Sequence, residues 1–129
     1  MMPQWNDKYK LDHDLLDQQH KELFKLANFV YNLDPTSTKK NEVATLFKAF
    51  YQYMDTHFKD EEAYMASISY PLLDEHKKLH QEIIANLNHI LKTKKTVQEL
   101  QASMKYAAQK WLSEHILEND LKIIAWAKG

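Results

Sequence analysis

Five histidines and one glutamate stand where helical periodicity calls for side chains that point into a core: His20, His57, Glu61, His76, His80 and His115. His57-x-x-x-Glu61 and His76-x-x-x-His80 are four-residue steps, so each pair projects from one face of a helix. Either pair alone is weak evidence, because side chains four apart on a helix are neighbours by geometry whatever their role. A single histidine on an apolar stripe is more often a core residue hydrogen-bonded to backbone. The set is different. Burying several imidazoles and a carboxylate together without a cation would cost several kcal/mol in lost hydration, and a cation turns that cost into ligation. Clustered histidines and carboxylates therefore point to a metal site.

The elements that must carry these residues are helices. The chain has 129 residues, three prolines and one glycine, Gly129, against a background rich in Leu, Lys, Ala and Glu, so it reads as all-α. Asp34–Thr38 and Ser67–Pro71 are loops, and Thr93–Thr96 is a weaker third, leaving four helical segments of roughly 20 residues. Each segment has an apolar stripe in steps of three and four. The stripes are Leu16, His20, Leu23, Ala27, Val30; then Val43, Phe47, Phe50, Met54, His57, Glu61; then Leu73, His76, His80, Ile83, Leu87, Ile90; then Val97, Leu100, Met104, Ala107, Trp111, His115. The histidines fall near the start, the end, the start and the end of successive helices. Short loops make neighbouring helices antiparallel, and that order gathers every polar member at one end. The expected fold is one domain over residues 1–129. It is an up-down-up-down antiparallel four-helix bundle, with an N-terminal arm up to about residue 11 and a short C-terminal helix.

Asp120 follows His115 by five residues. On an α-helix such a step turns about 140°. The two can share a site only if the last helix bends or breaks, and Glu118–Asn119 is the expected place.

Composition excludes several classes. There is no cysteine, which removes disulfides, zinc–cysteine sites, iron–sulfur clusters and thiol catalysis. The net charge is −1 and every basic residue is Lys, a poor balance for nucleic acid. Residues 1–10 contain no apolar run suited to a signal peptide, and no stretch has the length of a membrane span. The expected location is the cytoplasm, without membrane insertion. The number of donors is too large for one tetrahedral zinc, and imidazole with carboxylate favours iron among redox metals. His76 is followed by Lys77, so the HExxH motif of zinc peptidases is absent, as are the paired Glu-x-x-His motifs of carboxylate-rich di-iron bundles.

At this point the residues resemble the hemerythrin family, specifically its single-domain bacterial members. The resemblance covers nearly the whole chain. It is carried by Leu16-Asp17-Gln18-Gln19-His20-Lys21-Glu22-Leu23-Phe24, by His57-Phe58-Lys59-Asp60-Glu61-Glu62, by Tyr70-Pro71 leading to His76-Lys77-Lys78-Leu79-His80, and by Trp111-Leu112-Ser113-Glu114-His115-Ile116 with Asp120. The resemblance implies a pair of iron ions with an oxo or hydroxo bridge. His76, His80 and His115 would hold one ion and His20 and His57 the other, with Glu61 and Asp120 bridging. The two-histidine ion would keep the open position where dioxygen binds reversibly. Leu23, Trp111, Leu112 and Ile116 lie within about one helical turn of these residues and look like the family's apolar pocket wall, though ordinary core packing accounts for them equally well. Asp17, Gln18 and Gln19 are candidates to support the ligands from outside, or simply acidic and polar residues of a first turn. Two departures stand out. His13 occupies a position that is more often apolar, and is not assigned as a ligand. Asp12 stands where relatives often have Gly. His89 falls off its stripe and is expected in solvent.

The expected role is dioxygen carriage, storage or delivery by a monomer, with dioxygen as the ligand and an oxygen-consuming protein as a candidate further partner, and with no catalytic residue. The alternatives are an oxygen or nitric oxide sensor, and a peroxidase-like or oxidative di-iron enzyme. A plain helical interaction module would leave the inward histidines unexplained.

Overall fold

The computed structural model describes residues 2–129; Met1, the first residue of the expected arm, lies outside the described residues. Four long helices follow a single 3-10 turn at Asp7–Tyr9. They are α1 (Asp14–Tyr31), α2 (Lys40–Ser67), α3 (Leu73–Thr93) and α4, which begins at Val97. A short α5 (Leu121–Ala127) ends the chain. No strand occurs among the described residues. α1 packs on α2 and α4, α2 on α3, and α3 on α4, which is the cyclic order of a four-helix bundle. No helix among the described residues is long and apolar enough to cross a membrane.

Helix starts are set by side-chain caps where the sequence supplies them. Thr96 and Glu99 form a reciprocal capping box at α4: the Glu99 amide donates to Thr96 Oγ1 at 3.0 Å and the Thr96 amide donates to Glu99 Oε1 at 3.1 Å. His13 takes extended backbone and its Nδ1 accepts from the Leu16 amide at 3.2 Å, so it is the N-cap of α1. At the other end of α1, Gln101 of α4 reaches across and its Nε2 donates to the carbonyls of Val30, Tyr31 and Leu33, at 2.8–3.3 Å. Carbonyls at and just past a helix end are short of intrahelical donors, and Gln101 supplements the Leu33 amide, which also donates to Val30.

The inward stripes of α1 and α2 are buried at every expected position, and that of α3 at all but half-buried Leu73. Phe47, Phe50, Met54, Leu87, Leu100 and Met104 close the core, each excluding about 1.5–3 kcal/mol worth of apolar surface from water. α4 departs from expectation. From Ala107 to Glu114, and again from Ile116 to Asp120, it is wound as a π-helix, whose hydrogen bonds span five residues. The buried positions become Ala107, Ala108, Leu112, His115, Ile116 and Asp120, while Trp111 moves to a half-buried rim and stacks edge-on against Tyr106. The expected break at Glu118–Asn119 does not occur. Asp120 keeps helical backbone (φ −67°, ψ −35°) and α5 follows directly.

The arm is tied down at several points. Tyr9 packs on Phe24 and its hydroxyl lies 2.7 Å from Ser113 Oγ. The Asp17 carboxylate accepts from the amides of Leu11 and His13. Between them Asp12 adopts φ +55°, the left-handed region. This is the conformation Gly takes without penalty and Asp tolerates better than most residues, so the arm enters α1 by the same turn that a glycine would allow.

Candidate metal centre

Antiparallel packing brings the start of α1, the end of α2, the start of α3 and the end of α4 to one place. There Glu61 and Asp120, both fully buried, are surrounded by five imidazoles that are at most 6 % exposed. Glu61 Oε1 is 3.1 Å from Nε2 of both His76 and His80, and Glu61 Oε2 is 3.5 Å from His57 Nε2 and 3.8 Å from His20 Nε2. Asp120 Oδ1 is 2.9 Å from His76 Nε2 and 3.2 Å from His115 Nε2, and its Oδ2 is 3.3 Å from His20 Nε2. The expected seven residues thus meet in one cluster. Their donor atoms form two overlapping groups, each within 4.8 Å. Glu61, Asp120, His76, His80 and His115 make one; Glu61, Asp120, His20 and His57 make the other.

Asp120 reaches this cluster because of the π-winding. A turn closed at five residues places His115 and Asp120 nearly above one another, whereas α-helical winding would set them about 140° apart. Across α4 the site therefore depends on local unwinding of the helix rather than on its end.

The donor set fits a pair of cations. Buried polar atoms normally find partners. Here His57 Nε2, Glu61 Oε2 and both Asp120 oxygens have no hydrogen bond. The Asp120 oxygens lie at ion-pair distance from imidazole nitrogens, but without hydrogen-bond alignment. Two carboxylates and five imidazoles converge with several of these polar atoms left without a hydrogen bond, and seven such donors suit two ions better than one.

Protonation follows the same convergence. Burial pushes the His76 imidazole down, but the adjoining Asp120 and Glu61 carboxylates outweigh it and raise it to about 9. His115 is also raised, with burial opposed chiefly by the Asp120 charge. His57 is lowered, by burial and by its neighbour His20. Burial pushes Glu61 and Asp120 up, and the Asp120 charge pushes Glu61 up further, yet the imidazoles around them hold both well below the usual carboxylate range.

The outer nitrogens of two ligand candidates have partners the periodicity could not reveal. His57 Nδ1 lies 2.7 Å from Gln19 Oε1, and Gln19 Nε2 donates to Asp60 Oδ2 at 2.7 Å. His80 Nδ1 lies 2.7 Å from Glu62 Oε2, and its ring lies flat on Phe58 with centroids 3.7 Å apart and planes within 5°. Of the three outer candidates from the sequence, only Gln19 touches a site histidine. Asp17 holds the arm and Gln18 is exposed. Sequence reasoning missed Glu62, Asp60 and Phe58 as supports, although the run Asp60-Glu61-Glu62 is visible in the sequence. His13 and His89 lie outside the cluster, the first as a cap and the second exposed.

Among the expected wall residues, Leu23, Leu112 and Ile116 are buried in the main core, which also contains Phe24 and Phe58. Trp111 packs on that core from its rim and lines a surface groove that also touches His115.

The chain is similar to known proteins over nearly its whole length. Residues 11–127 match the family model described as "Hemerythrin HHE cation binding domain". The chain is 33% identical to a bacteriohemerythrin of Clostridium acetobutylicum, over 93% of this chain and 97% of that protein. It is 28% identical to a bacteriohemerythrin of Campylobacter jejuni subsp. jejuni, over 95% and 93%. It is 33% identical to a myohemerythrin of Theromyzon tessulatum, over 92% and 88%. A buried cluster of five histidines and two carboxylates on a four-helix bundle, together with a family match over almost all of the chain, shows that this protein belongs to the hemerythrin family.

Proposed function

We propose that the chain binds dioxygen reversibly at a pair of iron ions, as a carrier or store rather than as an enzyme. The observation that carries this reading is the uneven split of the donors. Three histidines and two shared carboxylates surround one position, and only two histidines with the same carboxylates surround the other. A position short of one protein donor is what separates a reactive metal site from a closed structural one. His76, His80 and His115 would hold one ion, His20 and His57 the other, with Glu61 and Asp120 spanning both. When bound, the iron pair supplies two electrons and a vacant coordination position for dioxygen.

The protein's own part is to position and to exclude. Glu61 and Asp120, fixed between imidazoles, hold the two positions at one separation. Leu23, Leu112 and Ile116 are at most 2 % exposed and offer no polar atom, so they would help keep water out of the site. Trp111 would close that wall from its rim. No side chain in that wall supplies a proton for catalysis.

The test is anaerobic reduction with iron counting, followed by exposure to dioxygen. Two irons per chain and a colour change that reverses when dioxygen is removed are expected. Irreversible oxidation with release of peroxide would refute carriage, and tightly held zinc in place of iron would refute the di-iron reading.

A further inference from the structure

Glu61 stands between two other acids, and all three serve the same site by different routes. Glu61 points inward and is fully buried. Its half-buried neighbours reach two different histidines, Glu62 directly and Asp60 only through Gln19. Glu62, 22 % exposed at its side chain, accepts directly from His80 Nδ1 at 2.7 Å. Asp60 accepts from Gln19 Nε2 at 2.7 Å, and that bond orients the amide so that its oxygen, not its nitrogen, faces His57 Nδ1. Both contacts require a proton on Nδ1, which leaves each Nε2 free for a cation. The two imidazoles belong to different positions: His80 to the three-histidine group, His57 to the two-histidine group.

We propose that Glu62 is a positioning residue that makes the three-histidine position the more strongly donating of the two, while the Gln19–Asp60 pair holds His57 without that effect. The inference rests on the metal-centre reading above. The physical argument is charge. A carboxylate bonded to Nδ1–H draws the proton toward itself and raises the basicity of Nε2, and removing such a partner commonly weakens metal binding by about ten- to a hundredfold. A neutral amide carbonyl in the same place does this much less, since hydrogen bonds with an ionised acceptor are roughly twice as strong. Asp60 carries the charge on the His57 side, but a whole amide group stands between it and the ring. Phe58 adds to the difference, because its flat stack on His80 leaves that ring one orientation, directed at Glu61 and Glu62. The asymmetry of ligand number is thereby reinforced by an asymmetry of ligand strength. The higher oxidation state is favoured at the position that already has more donors, and the position with the vacancy is left the weaker.

Glu62→Gln keeps the size of the side chain and removes its charge; Asp60→Asn does the same on the other side. The wild type and both variants would be loaded with Co2+ against a competing chelator, and separately with iron for a redox titration. Glu62→Gln is expected to weaken retention of one Co2+ per chain by about tenfold or more. A tenfold lost preference for the trivalent over the divalent ion corresponds to an upward shift of about 59 mV for a one-electron couple. Asp60→Asn is expected to move both readings by less than a third as much, and Glu62→Asp to restore part of the loss. Equal effects of Glu62→Gln and Asp60→Asn, or none from Glu62→Gln in a protein whose wild type holds two ions, would overturn the inference alone. A wild type that holds no ion would overturn the metal-centre reading and this inference with it.

Discussion

Leu23 is the residue whose truncation tests core and pocket together. It lies three residues after His20 on the inward face of α1 and is fully buried. Leu23→Ala removes three carbons, a loss of about 2.4 kcal/mol at roughly 0.8 kcal/mol per buried methylene-sized group. The core around it includes Phe24, Phe58 and Leu112 on three helices, so it cannot close fully over the gap. Unrelaxed cavity adds to the loss, for a total of about 3–5 kcal/mol. A chain of 129 residues unfolds with an entropy of about 270 cal/mol/K, at roughly 2.1 cal/mol/K per residue. The expected fall in melting temperature is therefore about 11–18 °C. It should be read by thermal unfolding of the metal-free protein, because bound metal adds its own stabilisation. The loaded variant should keep its two irons, since no ligand is touched. The lifetime of its dioxygen form should shorten as water enters the enlarged space. A fall of only a few degrees would mean the core relaxes where the packing says it cannot. An unchanged dioxygen lifetime alongside the expected destabilisation would mean that Leu23 is core and not pocket wall.

Other outcomes follow from single contacts. Gln101→Ala removes the side-chain donor that Val30, Tyr31 and Leu33 share and should cost about 1–3 kcal/mol, with metal content unchanged because Gln101 sits at the opposite end of the bundle. His13→Ala removes a cap and should cost about 0.5–2 kcal/mol in thermal unfolding. A loss of metal from that variant would contradict its placement outside the site. Metal affinity should rise with pH. His76 is protonated up to about 9 in the metal-free chain and His115 is raised as well, so protons compete with the ion at neutral pH. Competition titrations with Co2+ should show affinity climbing toward pH 9 and then levelling. A flat profile would mean that these imidazoles are already neutral. In the metal-free chain the sign reverses. The raised pKa of His76 contributes stability that is complete below its ordinary 6.5 and is lost as pH rises through about 9.

Much of the architecture is legible in the sequence because it repeats. Steps of three and four recur along each helix, and a helix must bury that face, so the core positions and the antiparallel order follow from spacing. The same rule places His20, His57, Glu61, His76, His80 and His115 inside, and all six are buried. For the first five it works because they obey the α-helical period on their own helices; His115 is buried beyond a π-wound stretch that has already carried Trp111 off the stripe.

Asp120 does not obey that period. Its role is readable only through kinship, and the mechanism expected for it, a break at Glu118–Asn119, is replaced by π-winding from Ala107 onward. Periodicity presumes a winding, and packing against three other helices selects it. That same change moves Trp111 from the inward stripe to the rim. The outer partners are tertiary for a second reason. Gln19 meets His57, Glu62 meets His80, and Gln101 meets the end of α1 across gaps between helices that no spacing along one chain encodes. The sequence by itself determined which faces turn inward and which donor chemistry they bring. The tertiary structure decided which of those donors share a position and which second residue stands behind each. That depends on how neighbouring helices are wound and set against one another.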